Sequence, residues 1–346
     1  MLSNSSAITR GAAREDSRAF EEVAMRVAKL RHDWTVEEIE SIYMQSIPDL
    51  VFEAQQAHRL YHSAEEVQWC ALLSVKTGGC PEDCHYCPQS GHYSTGVSRQ
   101  PLLSLEETVA AATRARDYGV TRFCMGAAWR DVPVGPEFDR ILEMVRAVRA
   151  LGLEACCTLG MLTEDQAHRL ADAGLTAYNH NLDTSPEFYD KIITTRTYDD
   201  RLRTLKKVRE AGITVCCGGI IGMGERRRDR YGLLQQLSIQ NPHPESVPIN
   251  LLVRVQGTPL AGEPDVDSFE VVRMIGTARI LMPASIVRLT AGRLSLSDET
   301  QALCYLAGAN SIFVGEKLLT TPNPDLGQDH QLFDKLGLRP RTNGRD

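Results

Sequence analysis

The chain of 346 residues contains no run approaching the ~18 consecutive apolar residues that a membrane-spanning helix requires, which excludes a helical membrane protein. Its N-terminus has no apolar signal core. Positive charge is not in surplus either: 38 Lys and Arg stand against 45 Asp and Glu, a formal net charge of -7. Such a balance offers no broad attraction for nucleic acid or an anionic membrane surface, which leaves a small-molecule substrate as the expectation. The glycine-rich stretch from Gly218 to Glu225 has no Gly-Lys-Ser/Thr after it, so it is not a phosphate loop, and close approach of backbone to a bound group is its expected use.

The first fourteen residues contain no acid, a trait of organellar transit peptides, but Glu15, Asp16, Glu21 and Glu22 argue against one. A flexible N-terminal extension over 1–32 is expected, followed by one domain over 33–337 and a loose C-terminal tail over 338–346.

What the chain does have is cysteine, ten in all. Without a secretory signal these read as metal ligands or buried thiols before they read as disulfides, and a reducing cytoplasm would suit them. Cys80, Cys84 and Cys87 lie in one short loop with the spacing C-x3-C-x2-C, directly after an apolar run. Three thiolates from such a loop can hold three irons of a 4Fe-4S cubane and leave the fourth without a protein ligand, free to chelate an amino acid-like cofactor. The competing reading is a zinc site completed by His85 or a distant residue, although no second ligand pair at knuckle spacing is present.

Two amphipathic helical patterns lie between residues 36 and 66 and are expected to cover the bottom of the domain. Beyond them the chain repeats one grammar. A helical pattern stops at a glycine, and a short apolar strand comes next. Gly119, Gly152, Gly174, Gly212 and Gly308 each precede such a strand. With strands near 247–253 and 286–290 and the run before Cys80, eight strands alternate with helices. That pattern predicts an α/β fold, a parallel (βα)8 TIM-type barrel with an N-terminal helical extension and its site at the C-terminal strand ends. An open doubly wound sheet is the competing architecture.

Strand parity sorts the remaining cysteines. Neighbouring residues on a strand face opposite sides, so one member each of Cys156-Cys157 and Cys216-Cys217 points into the barrel. Cys156 sides with Glu154 and Thr158, and Cys216 with Thr214 and Gly218, so these are the inward thiols; Cys124 shares its face with Arg122. Three strands would thus bring Cys124, Cys156 and Cys216 to one cavity. Each alone also reads as a small buried residue, as do Cys70 and Cys304. Asn179, Asn181 and Asp183 alternate at a strand end, where they suit ribose hydroxyls or a ureido ring, or simply a hydrogen-bonded terminus.

The three-cysteine loop, the Ala71–Thr77 run before it and Pro88–Ser90 after it resemble the biotin synthase family of radical S-adenosylmethionine enzymes. Stretches 122–129, 178–185 and 318–324 extend the resemblance over roughly residues 33 to 337. It implies S-adenosylmethionine on the open iron and a radical that abstracts hydrogen from dethiobiotin. It also implies sulfur from a 2Fe-2S cluster held by Cys124, Cys156, Cys216 and Arg288. Without the resemblance Arg288 is as readily a buried salt-bridge partner. The resemblance further places Tyr86 beside the adenine, Arg201 at the cofactor carboxylate, and Asn181 and Asp183 at contacts shared by cofactor and substrate. Asn250 then joins Asn179 and Asn181 at the substrate. A one-electron donor such as flavodoxin or ferredoxin and a homodimer are implied as well. Arg226–Arg228 departs from the family pattern and reads by default as a solvated helix start. Another radical S-adenosylmethionine reaction using only the first cluster, or a cluster carrier without catalysis, are the alternatives.

Overall fold

The structure, a computed structural model, describes residues 30–342; the expectation of a flexible extension lies, as far as residue 29, outside the described residues. Strands β1 (Glu66–Lys76), β2 (Arg122–Ala127), β3 (Glu154–Thr158), β4 (Ala177–Asn179) and β5 (Thr214–Cys216) pair in parallel in that order. After a short β6 (Gly219–Ile221), which pairs with β7, the sheet continues through β7 (Ser246–Leu251), β8 (Ile286–Leu289) and β9 (Ser311–Phe313), and β9 returns to β1. The β1–β9 pairing closes the sheet into a barrel, which removes the open-sheet alternative.

One expected strand breaks in two. The run from Ile213 to Ile221 divides into β5 and β6 at Cys217-Gly218, a corner where neither Gly218 nor Gly219 has room for a side chain. A Cβ on Gly218 would sit 1.9 Å from the Pro248 carbonyl oxygen, and one on Gly219 would sit 2.6 Å from the Asp183 carbonyl oxygen. Close backbone packing at this corner is what the glycines provide.

The helices begin where capping chemistry directs them. Ser104 with Glu107, Thr163 with Gln166 and Thr197 with Asp200 form capping boxes at the starts of Leu105–Asp117, Glu164–Asp172 and Tyr198–Glu210. The outward strand residues, Cys157 and Cys217 among them, are fully buried in the apolar layer between strands and helices.

Two expectations need correction. The helices Val36–Tyr43 and Ile47–Tyr61 do not close the barrel bottom. They pack on the outer helices Arg227–Ser238, Ser268–Leu281 and Asp298–Leu306, where their apolar stripes through Ile39, Ile42, Leu50 and Ala54 are covered. Nor is 338–346 loose from its start. The short strand Arg339–Pro340 pairs with the beginning of β1, while Trp69 on the outer face of β1 meets His330 and Phe333 of the helix Leu326–Leu336. Inside the lower barrel Arg122 pairs with Glu154 at 2.7 Å, and Gln68 donates to the same carboxylate.

Candidate functional site

β1 delivers the three-thiol loop to the top of the barrel, and backbone bonds close it on itself. The Cys80 amide donates to the Gln89 carbonyl at 2.9 Å, the Gly91 amide to the Cys80 carbonyl at 2.7 Å, and the Cys87 amide to the Cys84 carbonyl at 2.9 Å. Lys76 holds the base of the loop by donating Nζ to the carbonyls of Gly78 and Ala128. From the far side Asp83 accepts from the Thr194 and Thr195 amides, and the His85 amide donates to the Ile192 carbonyl. Burial opposes ionisation of Asp83, but those hydrogen bonds outweigh it and bring the carboxyl down to about 2.

The loop thiols carry no disulfide. Burial pushes Cys84 up to about 11 and Cys87 up to about 12, and raises Cys80 as well. Such thiols ionise when a metal centre repays the desolvation. Among the described residues no group of three His, Cys, Asp or Glu converges on a single metal ion, and the His85 ring faces Tyr93. The zinc reading therefore finds no fourth donor in His85, whereas a cubane takes one thiolate on each of three irons and needs no fourth from the protein.

The first cavity lies against this loop. Tyr86, Cys87, Asn181, Asp183, Ile220 and Asn250 line it, together with Leu318–Thr321. Tyr86 donates its hydroxyl to Asp183 Oδ2 at 2.7 Å. Asp183 holds a left-handed backbone, φ 67°, a costly state for a residue with a side chain. Arg201 secures it by an ion pair in which both side chains are 3% exposed. Arg201 also donates to the Tyr189 hydroxyl at 2.7 Å and to the Asn181 carbonyl. On composition Arg201 reads as an exposed helix residue, and its burial corrects that reading. Its guanidinium meets Asp183, the Tyr189 hydroxyl and the Asn181 carbonyl, and so supports the cavity wall from behind.

The second cavity lies deeper and shares Asn181, Asn250, Leu318 and Leu319 with the first. Cys124, Cys156, Cys216 and Arg288 all line it, as strand parity requires. Registry explains the grouping: Cys124 sits beside Cys156 across β2 and β3, and Cys216 beside Asn179 across β4 and β5. The hydrogen bond between Cys124 and Cys156 lowers Cys156 from the ordinary thiol value and raises Cys124, so the two thiols lose their protons as a coupled pair. Arg288 Nη1 stands 3.7 Å from Cys216 Sγ, and its Nη2 is buried without a partner, as is Nη1 of Arg122. Two guanidiniums against the single carboxylate of Glu154 leave surplus positive charge around these thiols. An anionic, thiolate-bound cluster fits that surplus.

Asn179 donates to Cys216 Sγ at 3.2 Å and accepts from Thr158 Oγ1 at 3.1 Å, while Asn250 donates to the Gly219 carbonyl at 3.0 Å. β4 ends at Asn179, so Asn181 and Asp183 reach the cavities from the loop after it and not from the strand.

Residues 74–237 match the Radical SAM superfamily and residues 248–339 the Biotin and Thiamin Synthesis associated domain. The biotin synthase of Myxococcus xanthus is 60% identical over 311 residues, covering 90% of each chain. That of Sorangium cellulosum is 61% identical over 310 residues, covering 90% of this chain and 89% of its own. The chain belongs to the biotin synthase family. Among solved structures, methylornithine synthase superposes with a TM-score of 0.76 at 17% identity over 92% of this chain and 97% of its own. The FeFe-hydrogenase maturase HydG from Carboxydothermus hydrogenoformans does so with 0.76 at 16% identity over 98% of this chain and 83% of its own. Both share the barrel, and at such identity the likeness is one of fold alone. No described helix is long and apolar enough to cross a membrane.

Sequence reasoning missed Arg196 and His180, both largely buried, and the Glu82–Thr195 contact that ties the thiol loop down. No spacing signal marks the contacts of Glu82 with Thr195 and Arg196, because Thr195 lies 113 residues further along the chain and meets it only through barrel closure. Arg226–Arg228 is only partly the solvated start it looks like: Arg227 pairs with Glu270, and Arg230 joins Glu270 to Glu225.

Proposed function

We propose that this chain is a biotin synthase, a radical S-adenosylmethionine sulfurtransferase that inserts sulfur into dethiobiotin to form biotin. One observation carries the reading: the three-thiol loop, through Cys87, and three strand thiols, Cys124, Cys156 and Cys216, line adjoining cavities that share Asn181 and Asn250.

Cys80, Cys84 and Cys87 would hold a 4Fe-4S cluster, and Cys124, Cys156, Cys216 and Arg288 a 2Fe-2S cluster. With S-adenosylmethionine bound, the first centre supplies a carbon radical able to break an unactivated C–H bond, and the second supplies sulfur. The protein's own work is alignment. Tyr86 and Asp183 shape the cofactor wall, with Arg201 fixing Asp183 behind it. Asn181 and Asn250, at the junction of the cavities, offer amide groups to a ureido ring, and Asn179 fixes the Cys216 sulfur beneath them. Leu318 and Leu319 border both cavities and limit water at the reacting carbons. Leu319 can lie there because position 126 is glycine, since a Cβ on Gly126 would come within 2.7 Å of Leu319 Cδ2.

A one-electron donor such as flavodoxin or ferredoxin, a homodimer and a cytoplasmic location belong to the same reading. Cys156→Ala tests it. Cleavage of S-adenosylmethionine should survive the substitution and biotin formation should not; undiminished biotin formation would remove the second cluster as the sulfur source.

A further inference from the structure

A fourth inward thiol stands just beneath the second cavity. Cys70 lies on β1 two residues before Leu72, which lines that cavity, and the two-residue period puts both on the inner face. Cys70 is fully buried, with Sγ 3.6 Å from Ser311 Oγ. That hydroxyl has one proton and two lone pairs. The proton goes to the Gln68 carbonyl at 3.1 Å, and one lone pair takes the Arg288 Nε hydrogen at 2.8 Å. Only an acceptor position remains, so Cys70 is the donor in its contact with Ser311.

The consequence falls on Arg288. Its guanidinium is planar, so fixing Nε fixes the directions of both other nitrogens. Nη1 then faces Cys216 Sγ at 3.7 Å, and Nη2 is left buried and unpartnered. We propose that Cys70 is a positioning residue for the second centre, whose S–H locks the Ser311 hydroxyl so that Ser311 aims the free nitrogen of Arg288 at the cluster. Cys70 is thus neither a fourth thiolate ligand nor a bystander. The proposal rests on the reading of Arg288 as a ligand of that cluster.

The test compares the full-length wild type with Cys70→Ala, Cys70→Ser, Ser311→Ala and Arg288→Ala, each reconstituted anaerobically with iron and sulfide. The readouts are the optical and paramagnetic spectra of both centres and the rate at which the second is lost. Cys70→Ala should shift the second centre's spectrum and speed its loss several-fold, with the first centre's spectrum unchanged as a sign of intact folding. Cys70→Ser keeps a donor of the same shape and should restore the wild-type spectrum, while Ser311→Ala should reproduce the shift. Adding Cys70→Ala to Arg288→Ala should change nothing further. If Arg288→Ala shifts the spectrum while Cys70→Ala and Ser311→Ala leave it as in wild type, or if the Cys70 and Arg288 effects add, the positioning role is wrong. If Arg288→Ala itself leaves the second centre unaltered, the ligand reading falls and this proposal with it.

Discussion

The Tyr86 hydroxyl meets Asp183 Oδ2 at 2.7 Å, joining the three-thiol loop after β1 to the loop after β4 across the wall of the first cavity. Asp183 also pairs with Arg201, and it occupies a backbone state that few residues with side chains adopt. One carboxylate thus holds the wall in shape. Asp183→Asn leaves the buried Arg201 charge uncompensated, and breaking one side of such a pair costs about 3–5 kcal/mol. A chemical denaturation midpoint should fall accordingly, and S-adenosylmethionine cleavage by the reconstituted protein should fall with it.

Loss of one inward thiol should separate the two centres. In Cys156→Ala, iron and sulfide analysis should show the second centre's share missing while the loop centre keeps its spectrum. Cys157→Ala offers the control, because that thiol faces the apolar layer outside the barrel. It should retain both centres and lose only about 1 kcal/mol of stability, by the measure of about one methylene-sized group removed from a core.

The corner between β5 and β6 should tolerate no side chain. An alanine Cβ at position 218 meets the Pro248 backbone at 1.9 Å, a contact no rotamer change relieves. Gly218→Ala should destabilise by about 3 kcal/mol or more, the upper range for overpacking. A Cβ on Gly262 has nothing within 4 Å, so Gly262→Ala should stay within about ±0.5 kcal/mol. Paired thermal melts decide both.

Acid should loosen the N-terminal helices first. His58, on Ile47–Tyr61, is held neutral by burial and by the nearby Arg279 charge, which bring its pKa down to about 3. A group depressed in the folded state takes its proton more readily when unfolded. Its stabilising effect is therefore intact above pH ~6.5 and is lost as pH falls below that, by up to roughly 1.4 kcal/mol per pH unit. Denaturation between pH 7 and 4.5 should show this slope, and His58→Gln should flatten it.

Strand parity is a local rule, which is why so much of the barrel interior is legible in the sequence. Cys156 and Cys216 can be told from Cys157 and Cys217 by the company each keeps two residues away, and the closed barrel bears the assignment out. Cys70 escapes the rule because the apolar run before the loop reads from Ala71, whereas β1 starts at Glu66 and carries Cys70 on its inner face. The burial of Arg201 escapes the sequence for another reason. Helix periodicity does not report that a partner such as Asp183 will be folded against it from eighteen residues upstream. The break after β5 turns on a close approach to Pro248, thirty residues away, that composition cannot show.

The central claim is that the sulfur in the product comes from the centre held by Cys124, Cys156 and Cys216. Reconstituting the protein with isotopically labelled sulfide, removing the excess, and measuring the label in biotin after a single turnover tests it most directly. The account predicts biotin labelled to the same extent as the second centre and no biotin from Cys156→Ala. Unlabelled biotin from fully labelled wild-type protein would contradict it.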